Sequence, residues 1–512
     1  MSTDASLALF FCILLGRVVV SDLFQSLSTG NAFLLGLGLV ASLFVGLVIL
    51  WELKSAPAKA RRKIADRIQE IPLSLRSSDL GVVRLGEEVE LGIPIFLPDS
   101  VRLRHTHIIG ATGSGKTESV ILNFIKQDVA RGLGTIILDA KGDASFLKCL
   151  REFVPEARLR VFDLGSENSL PYDPLSMGSS IEAAQRLFSS LNWSEEYYKS
   201  KALSALQLIF YKFAARNNRN PTLIDLAKAM ETPDTFSVLV KSAGYEEATA
   251  KRDFLEISGL RDQINTLCIG HLSRTLSGQG EACLSLKEAA DGKVLYFRLQ
   301  SLLSPQLVGI VGRLVINQLN FLAGSAHRLE GEGKDGKLIP TYLDEFASFA
   351  CPEFADLISK ARSALMPLHF SHQSIGDLEE LPGFLSRVTD NSATKIVFRV
   401  NDPDTADFFS RSFGTKLYQK ITQRITNVKE LDTAEAMGEG SQREAHQFRA
   451  SPDMIKTLPT GEGAVLIAHG ERTPHGASTV FRIRFPRLKG ESNENGNDGR
   501  GSSPINGLLH NE

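Results

Sequence analysis

One short stretch narrows the folds open to this chain more than any other: "HIIGATGSGKTES", His107 to Ser119. Gly110, Gly115, Lys116 and Thr117 satisfy G-x-x-x-x-G-K-[ST]. The apolar run His107–Ile109 before it and a helical pattern from Glu118 to about Arg131 after it supply the strand and the helix that such a loop requires. Small residues let backbone N–H groups curl round phosphates, and the helix N-terminus adds a favourable dipole. The loop Gly110, Ala111, Thr112, Gly113, Ser114, Gly115, Lys116, Thr117 and Glu118 is therefore expected to hold ATP. Lys116 should reach the β- and γ-phosphates and Thr117 should ligate Mg²⁺. Kinases, GTPases and transporters share this loop, so alone it specifies nucleotide binding and nothing finer.

A P-loop needs a sheet behind it. Apolar strand-like runs recur at "GTIILDAKGD", which ends its strand in Asp139, at "RLRVFDLGS" (158–166), "KVLYFRL" (293–299), "LIPTYLDEF" (338–346), "LMPLHFSHQ" (365–373) and "TKIVFRV" (394–400). Their alternation with helical stretches predicts an α/β fold with a largely parallel sheet. The segment from Ser78 to Arg104 is β-like with turn residues. Between 179 and 288 the pattern changes to long amphipathic helices such as "IEAAQRLFSSL" and "KALSALQLIFYKFAARN". This predicts an all-α insertion at 179–288 that splits the sheet domain into 78–178 and 289–488. The last residues, 489–512, rich in Gly, Asn and Ser, read as a disordered tail. No internal repeat is found.

With 512 residues, 43% hydrophobic and 23% charged, the chain has ample material for a folded core. A net charge of -2 gives no global field for polyanions, so binding to nucleic acid must come from local basic patches or a multimeric channel. Cys12, Cys149, Cys268, Cys283 and Cys351 show no C-x-x-C spacing, which argues against a zinc site or a disulfide framework.

The N-terminus is expected to be a membrane anchor. Ala32 to Trp51 carries no charge over a length able to cross about 30 Å of hydrocarbon as a helix. Ala5 to Phe24 is also apolar but contains Arg17, and reads as a signal peptide or as a first span. A second apolar run so soon afterwards favours a span, hence a two-helix hairpin over 1–52. The linker 53–77 begins with Lys54, Lys59, Arg61, Arg62, Lys63 and Arg67, while the connector "QSLSTGN" has no charge. The positive-inside rule then places everything after Trp51 in the cytoplasm, with the protein multi-pass in its membrane.

The second half of the chain supplies partners for the loop. Asp344 stands at the C-terminal end of the strand in "LIPTYLDEF", where it should hold Mg²⁺ through water, and Glu345 should polarise an attacking water. Gln373 ends the strand in "LMPLHFSHQS" and is placed to sense the γ-phosphate. Arg362 lies in "KARSALM"; as a residue alone it reads first as a solvated surface charge, and only secondarily as an arginine supplied to a neighbouring subunit.

Taken together, these segments resemble the type IV secretion coupling proteins of the TraD/TraG type, the membrane-anchored DNA pumps of bacterial conjugation. The resemblance runs through "RHTHIIGATGSGKTES", "GTIILDAKGD", "PYDPL", "YLDEFASF", "ARSALMPLHFSHQS", "NSATKIVFRVNDPDTADFFSRSFG" and "LPTGEGAVLI", in order and over almost the whole chain. It implies a RecA-like P-loop ATPase sheet domain with an inserted all-α domain behind a two-helix transmembrane anchor. It also implies that Lys116, Thr117, Asp344 and Glu345 serve ATP and Mg²⁺, that Gln373 is the sensor, and that Arg362 is a finger acting in trans. A homohexameric ring around DNA, a relaxase or relaxosome substrate, other inner-membrane secretion components and membrane lipid are the partners it implies, at the bacterial inner membrane.

Other readings stay open on the sequence alone. A DNA translocase of the chromosome-partitioning type shares the sheet domain, and a membrane-tethered scaffold that binds ATP and recruits secreted proteins shares the loop. Glu345 and Gln373 argue against the scaffold, which has no need of a positioned water.

Overall fold

The computed structural model describes residue 68 and residues 71–488, apart from 79–80, 241–246, 279–281, 303, 329–336, 428–433, 472 and 474–475. The expected membrane hairpin at 1–52, most of the linker 53–77 and the tail 489–512 lie outside the described residues. Contacts divide the chain after Ile71, and the sheet and its helices all belong to the unit Pro72–Glu512.

The strands are β1 (Val82–Glu88), β2 (Pro94–Pro98), β3 (Thr106–Ile109), β4 (Thr135–Asp139), β5 (Leu159–Asp163), β6 (Val294–Arg298), β7 (Thr341–Asp344), β8 (Leu368–His372), β9 (Thr394–Val397), β10 (Thr415–Asn427), β11 (Ala434–Phe448), β12 (Glu462–Ile467) and β13 (Thr479–Arg484). All but β10 and β11 join one 11-stranded sheet in the order β2-β1-β13-β12-β9-β3-β8-β7-β4-β6-β5. The run from β9 to β5 is parallel throughout. Its strands are apolar almost without alternation because helices cover both faces; β3, β4, β7, β8 and β9 are buried at every position.

At the β9 edge the sheet turns antiparallel, through β12, β13, β1 and β2. A largely parallel sheet was expected, and the difference lies in connection length. β1 to β2 and β12 to β13 are joined by short links without a helix, too short for the crossover a parallel pair needs. Among the described residues β10 and β11 pair only with each other, as a long antiparallel ribbon.

Between β5 and β6 the chain forms the helices Ser180–Ser190, Glu196–Asn217, Leu223–Ala229, Pro233–Val240, Glu247–Glu256 and Ser258–Leu267. Capping boxes start two of them: Ser179 and Glu182 satisfy each other's backbone N–H, as do Thr222 and Asp225. Their apolar faces share one core with the sheet: Leu187, Leu206, Ile209 and Ile264 belong to the same cluster as Phe297, Leu314 and Phe349. The helix Pro305–Arg328, which crosses from β6 to β7, joins them. Its segment Pro305–Ser325 is long and apolar enough to cross a membrane, with mean hydropathy 1.4, yet 67% of it is buried in this core. Gly312 lets it close on Phe349, because a Cβ there would stand 2.5 Å from Phe349 Cβ.

Candidate functional site

The loop leaves the C-terminal end of β3 at Gly110. A Cβ at Gly110 would lie 2.6 Å from Phe398 Cβ and 2.7 Å from Ser114 Oγ, so only glycine fits. Gly113 and Gly115 take φ of 74° and 103°, the left-handed turn that curls the backbone back on itself. The following helix opens with a π-helical turn, Lys116–Ile121, before its α-helical part Leu122–Ala130. Lys116 is buried, and its Nζ donates to the Gly110 carbonyl, folded across the mouth of the loop. Burial holds its ammonium below the ordinary lysine range, although Glu345 and Asp344 pull the other way.

β7 and β8 deliver the acid side. Thr117 Oγ1 donates to Asp344 Oδ2 at 2.8 Å, and Ser371 Oγ from β8 donates to Asp344 Oδ1 at 2.5 Å. Glu345 follows in the left-handed region, at φ 50° and ψ 48°, rare for a side chain with a Cβ. Its N–H points back to Asp344 Oδ1 (3.2 Å) and Ser371 Oγ (3.3 Å), which helps hold the turn. Burial raises the Glu345 carboxyl above the usual range against the pull of Lys116, with Asp344 adding to the rise. Gln373, just after β8, bridges the two sides. Its Nε2 donates to Glu345 Oε1 (3.3 Å), and its Oε1 accepts from Thr112 Oγ1 of the loop (3.1 Å). Asp377 holds the Gln373 backbone by accepting its N–H at 2.9 Å.

Lys116, Thr117, Asp344 and Glu345 border a cleft of about 570 Å³ whose walls also include the rest of Ala111 to Glu118, Asp139 and Lys141. The structure thus brings together Lys116, Thr117, Asp344, Glu345 and Gln373. Arg362 is not in the cleft. It is exposed before β8, at the opposite end of that strand from Gln373, where its charge is felt by Arg104 and His105 ahead of β3.

Sequence reading passed over Asp139 as a site residue. In the register of β4 against β7 it stands beside Asp344, buried, accepting from Tyr296 Oη at 2.7 Å and from Gly142 N at 2.9 Å. Burial and the charge of Asp344 push its carboxyl up to about 6. Its signal was an acid at the end of a buried strand, the same signal that picked out Asp344. Also unforeseen are Thr460, Arg487 and Leu488, which reach the cleft from the antiparallel side of the sheet.

The residues fit Mg²⁺ and a nucleotide. A threonine hydroxyl and a carboxylate already within hydrogen-bond distance form the oxygen-only set a hard cation takes beside phosphate. The buried Ser114 Oγ and Ser119 Oγ at the loop have no hydrogen-bond partner among the described residues. Fold and site together define a P-loop nucleotide-binding protein.

Comparison with known proteins narrows this. Residues 91–245 match the family described as the type IV secretion-system coupling protein DNA-binding domain, and residues 339–459 match the TraM recognition site of TraD and TraG. The type 4 coupling protein DotL of Legionella pneumophila subsp. pneumophila is 23% identical over 465 residues; the match takes in 75% of this chain and 58% of DotL, so the chain spans little more than half the length of that relative. Among solved structures, the bacterial conjugative coupling protein TrwB superposes with a TM-score of 0.58 at 16% identity, over 82% of this chain and 92% of TrwB. VirB4 of Thermoanaerobacter pseudethanolicus superposes with a TM-score of 0.52 at 14% identity, over 80% of this chain and 98% of VirB4. Two separate stretches of the chain thus match models of type IV secretion coupling proteins, and the chain is similar to such a protein over most of its length.

Proposed function

We propose that the protein is an inner-membrane ATPase that couples DNA, carried as a relaxase nucleoprotein, to a type IV secretion channel and drives its transfer by ATP hydrolysis. The observation that carries this reading is the hydrogen-bonded chain from the loop through Gln373 to Glu345, beside the Thr117–Asp344 pair. A nucleotide store or scaffold has no use for a half-buried carboxyl of raised basicity set next to a sensor amide.

Solved structures of TrwB hold ADP with Mg²⁺ and analogues of ATP and GTP, which supports ATP and Mg²⁺ here. In the working site Mg²⁺ supplies charge neutralisation at the β- and γ-phosphates. Thr117 ligates it directly and Asp344 holds it through water, while Ser371 fixes the Asp344 carboxylate. Lys116 leaves the Gly110 carbonyl for the phosphates. Glu345 orients and deprotonates the attacking water, and its raised pKa strengthens it as a base. Gln373, held by Thr112 and Glu345, senses the γ-phosphate.

Arg362 cannot serve the cleft of its own chain from the far end of β8, so it acts on a neighbour's site in a homohexameric ring. DNA passes through that ring, gripped through its phosphates without regard to sequence. The helices between β5 and β6 form the all-α domain, 179–288, and the segments 5–24 and 32–51 anchor the protein in membrane lipid beside other inner-membrane secretion components. Relaxosome contact is supported by the matched TraM recognition site. A conjugation assay with Lys116→Ala in the full chain tests the reading: transfer is lost, and undiminished transfer would overturn it.

A further inference from the structure

The cleft has two ends. In the sheet order, the acid-bearing β7 and β4 lie on one side of β3 and its loop, and β12 and β13 lie on the other. Thr460, just before β12, and Arg487 and Leu488, just after β13, come into the cleft from that second side. A nucleotide with its γ-phosphate at Asp344 and Glu345 and its other phosphates along the loop extends its ribose and base away from the acids. Arg487 and Leu488 stand on the side of the loop opposite the acid-bearing strands.

Arg487 differs from its neighbours. On β13, Arg482 and Arg484 are both paired with Glu462, at 2.8 and 3.0 Å. Arg487 is exposed on the cleft wall and has no ion pair among the described residues. It nevertheless lies close against Gly461. A Cβ on Gly461 would stand 2.9 Å from Arg487 Nε and 3.3 Å from Nη2, so the guanidinium packs on bare backbone. Gly461, at φ 85°, in turn donates its N–H to the Ser114 carbonyl of the loop at 3.1 Å. One residue therefore ties this uncompensated guanidinium to the phosphate-binding backbone.

We propose that Arg487 binds the nucleotide base, its planar guanidinium lying against the face of the purine with Leu488 beside it. The inference rests on the nucleotide reading above. Guanidinium stacks on aromatic faces where an ammonium does not substitute for it. A contact this remote from the γ-phosphate is made equally in ground and transition states, so its loss raises KM and leaves kcat in place.

The test is calorimetric titration of the full chain in detergent with Mg²⁺-ATP and, separately, with Mg²⁺ and inorganic tripolyphosphate. Arg487→Ala should weaken ATP binding roughly 2- to 30-fold and leave tripolyphosphate binding unchanged. Arg487→Phe, which keeps a stacking surface, should recover most of the loss, and Arg487→Lys should not. Unchanged ATP affinity in Arg487→Ala overturns the inference. So does an equal loss for both ligands with rescue by lysine, which would make Arg487 a phosphate ligand. Failure of the wild-type chain to bind ATP at all would instead remove the nucleotide reading itself. Melting of Arg487→Ala without nucleotide should match the wild type, since the side chain is exposed.

Discussion

Two clusters of buried charge lie on the same strands and answer to opposite rules. Tyr342 and Asp344 on β7 face the same way, two residues apart, as do His369 and Ser371 on β8. The P-loop helix crosses both sets, with Thr117 over the outer pair and Asp128 over the inner. The inner cluster is closed. Arg102, fully buried, makes paired bonds of 2.9 and 2.7 Å to Asp128; Tyr342 donates to Asp128; Arg131 bonds Asp128 and Asp99, each at 2.8 Å; and Arg102 Nη2 lies 3.1 Å from His369 Nε2. Its arginines and aspartates balance. The outer cluster is open: among the described residues Lys116 is the buried cation that faces Asp139, Asp344 and Glu345, while Lys141 on the same cleft wall is exposed and paired with Asp143. An unbalanced set of carboxyls is tolerable only where a cation is to be received, and the difference between the clusters marks what each is for.

The sharpest way to break the comparison is to remove a charge from each cluster. Glu345→Gln should lower DNA-stimulated turnover by about 10² to 10⁴, the span of general-base catalysis, while ATP still binds; turnover within a few-fold of wild type would deny Glu345 its role. Arg102→Ala strands the buried Asp128 carboxylate and should cost about 3–5 kcal/mol of stability, read from denaturant midpoints, with ATP affinity kept under folding conditions. If instead Glu345→Gln destabilises and Arg102→Ala only slows turnover, the assignment of the clusters is reversed.

Sequence showed the outer cluster far better than the inner one. The glycines around Lys116 and the acid ending an apolar strand are local signals, written in consecutive residues. Arg102, Asp128, Tyr342 and His369 carry no such mark, since their meaning depends on which strands lie side by side. The same limit hid Asp139, which neighbours Asp344 only because β4 pairs with β7. It hid Arg487 too, whose approach to the loop depends on an antiparallel edge that short links create and that helix alternation did not foretell. Arg362 was legible as a residue and as a family position, yet its own chain keeps it away from the cleft.

Asp139 offers a test through pH. Its carboxyl is held at about 6, above the ordinary value, so the folded chain binds that proton more tightly than the unfolded one. Its contribution to stability is therefore full below the unfolded pKa near 3.8 and is lost as pH rises through 6. Over that window the loss comes to about 3 kcal/mol. In protein free of nucleotide and Mg²⁺, Asp139→Asn should flatten the stability profile between about pH 4 and 7. A profile as steep as the wild type's would place the proton elsewhere.

The smallest expected effect is at Thr112, and it bears on how the open cluster is kept in order. Thr112 Oγ1 gives Gln373 a single neutral hydrogen bond, at 3.1 Å on an exposed rim. Such a bond contributes about 0.5–1.5 kcal/mol, so Thr112→Ala should slow turnover about 2- to 10-fold and leave ATP affinity unchanged. Gln373→Ala removes this bond and the one to Glu345 together, and should slow turnover further. Were the two variants equally slow, the bond to Glu345 would contribute nothing, and Gln373 would act through the loop alone rather than as the bridge between the phosphates and the base.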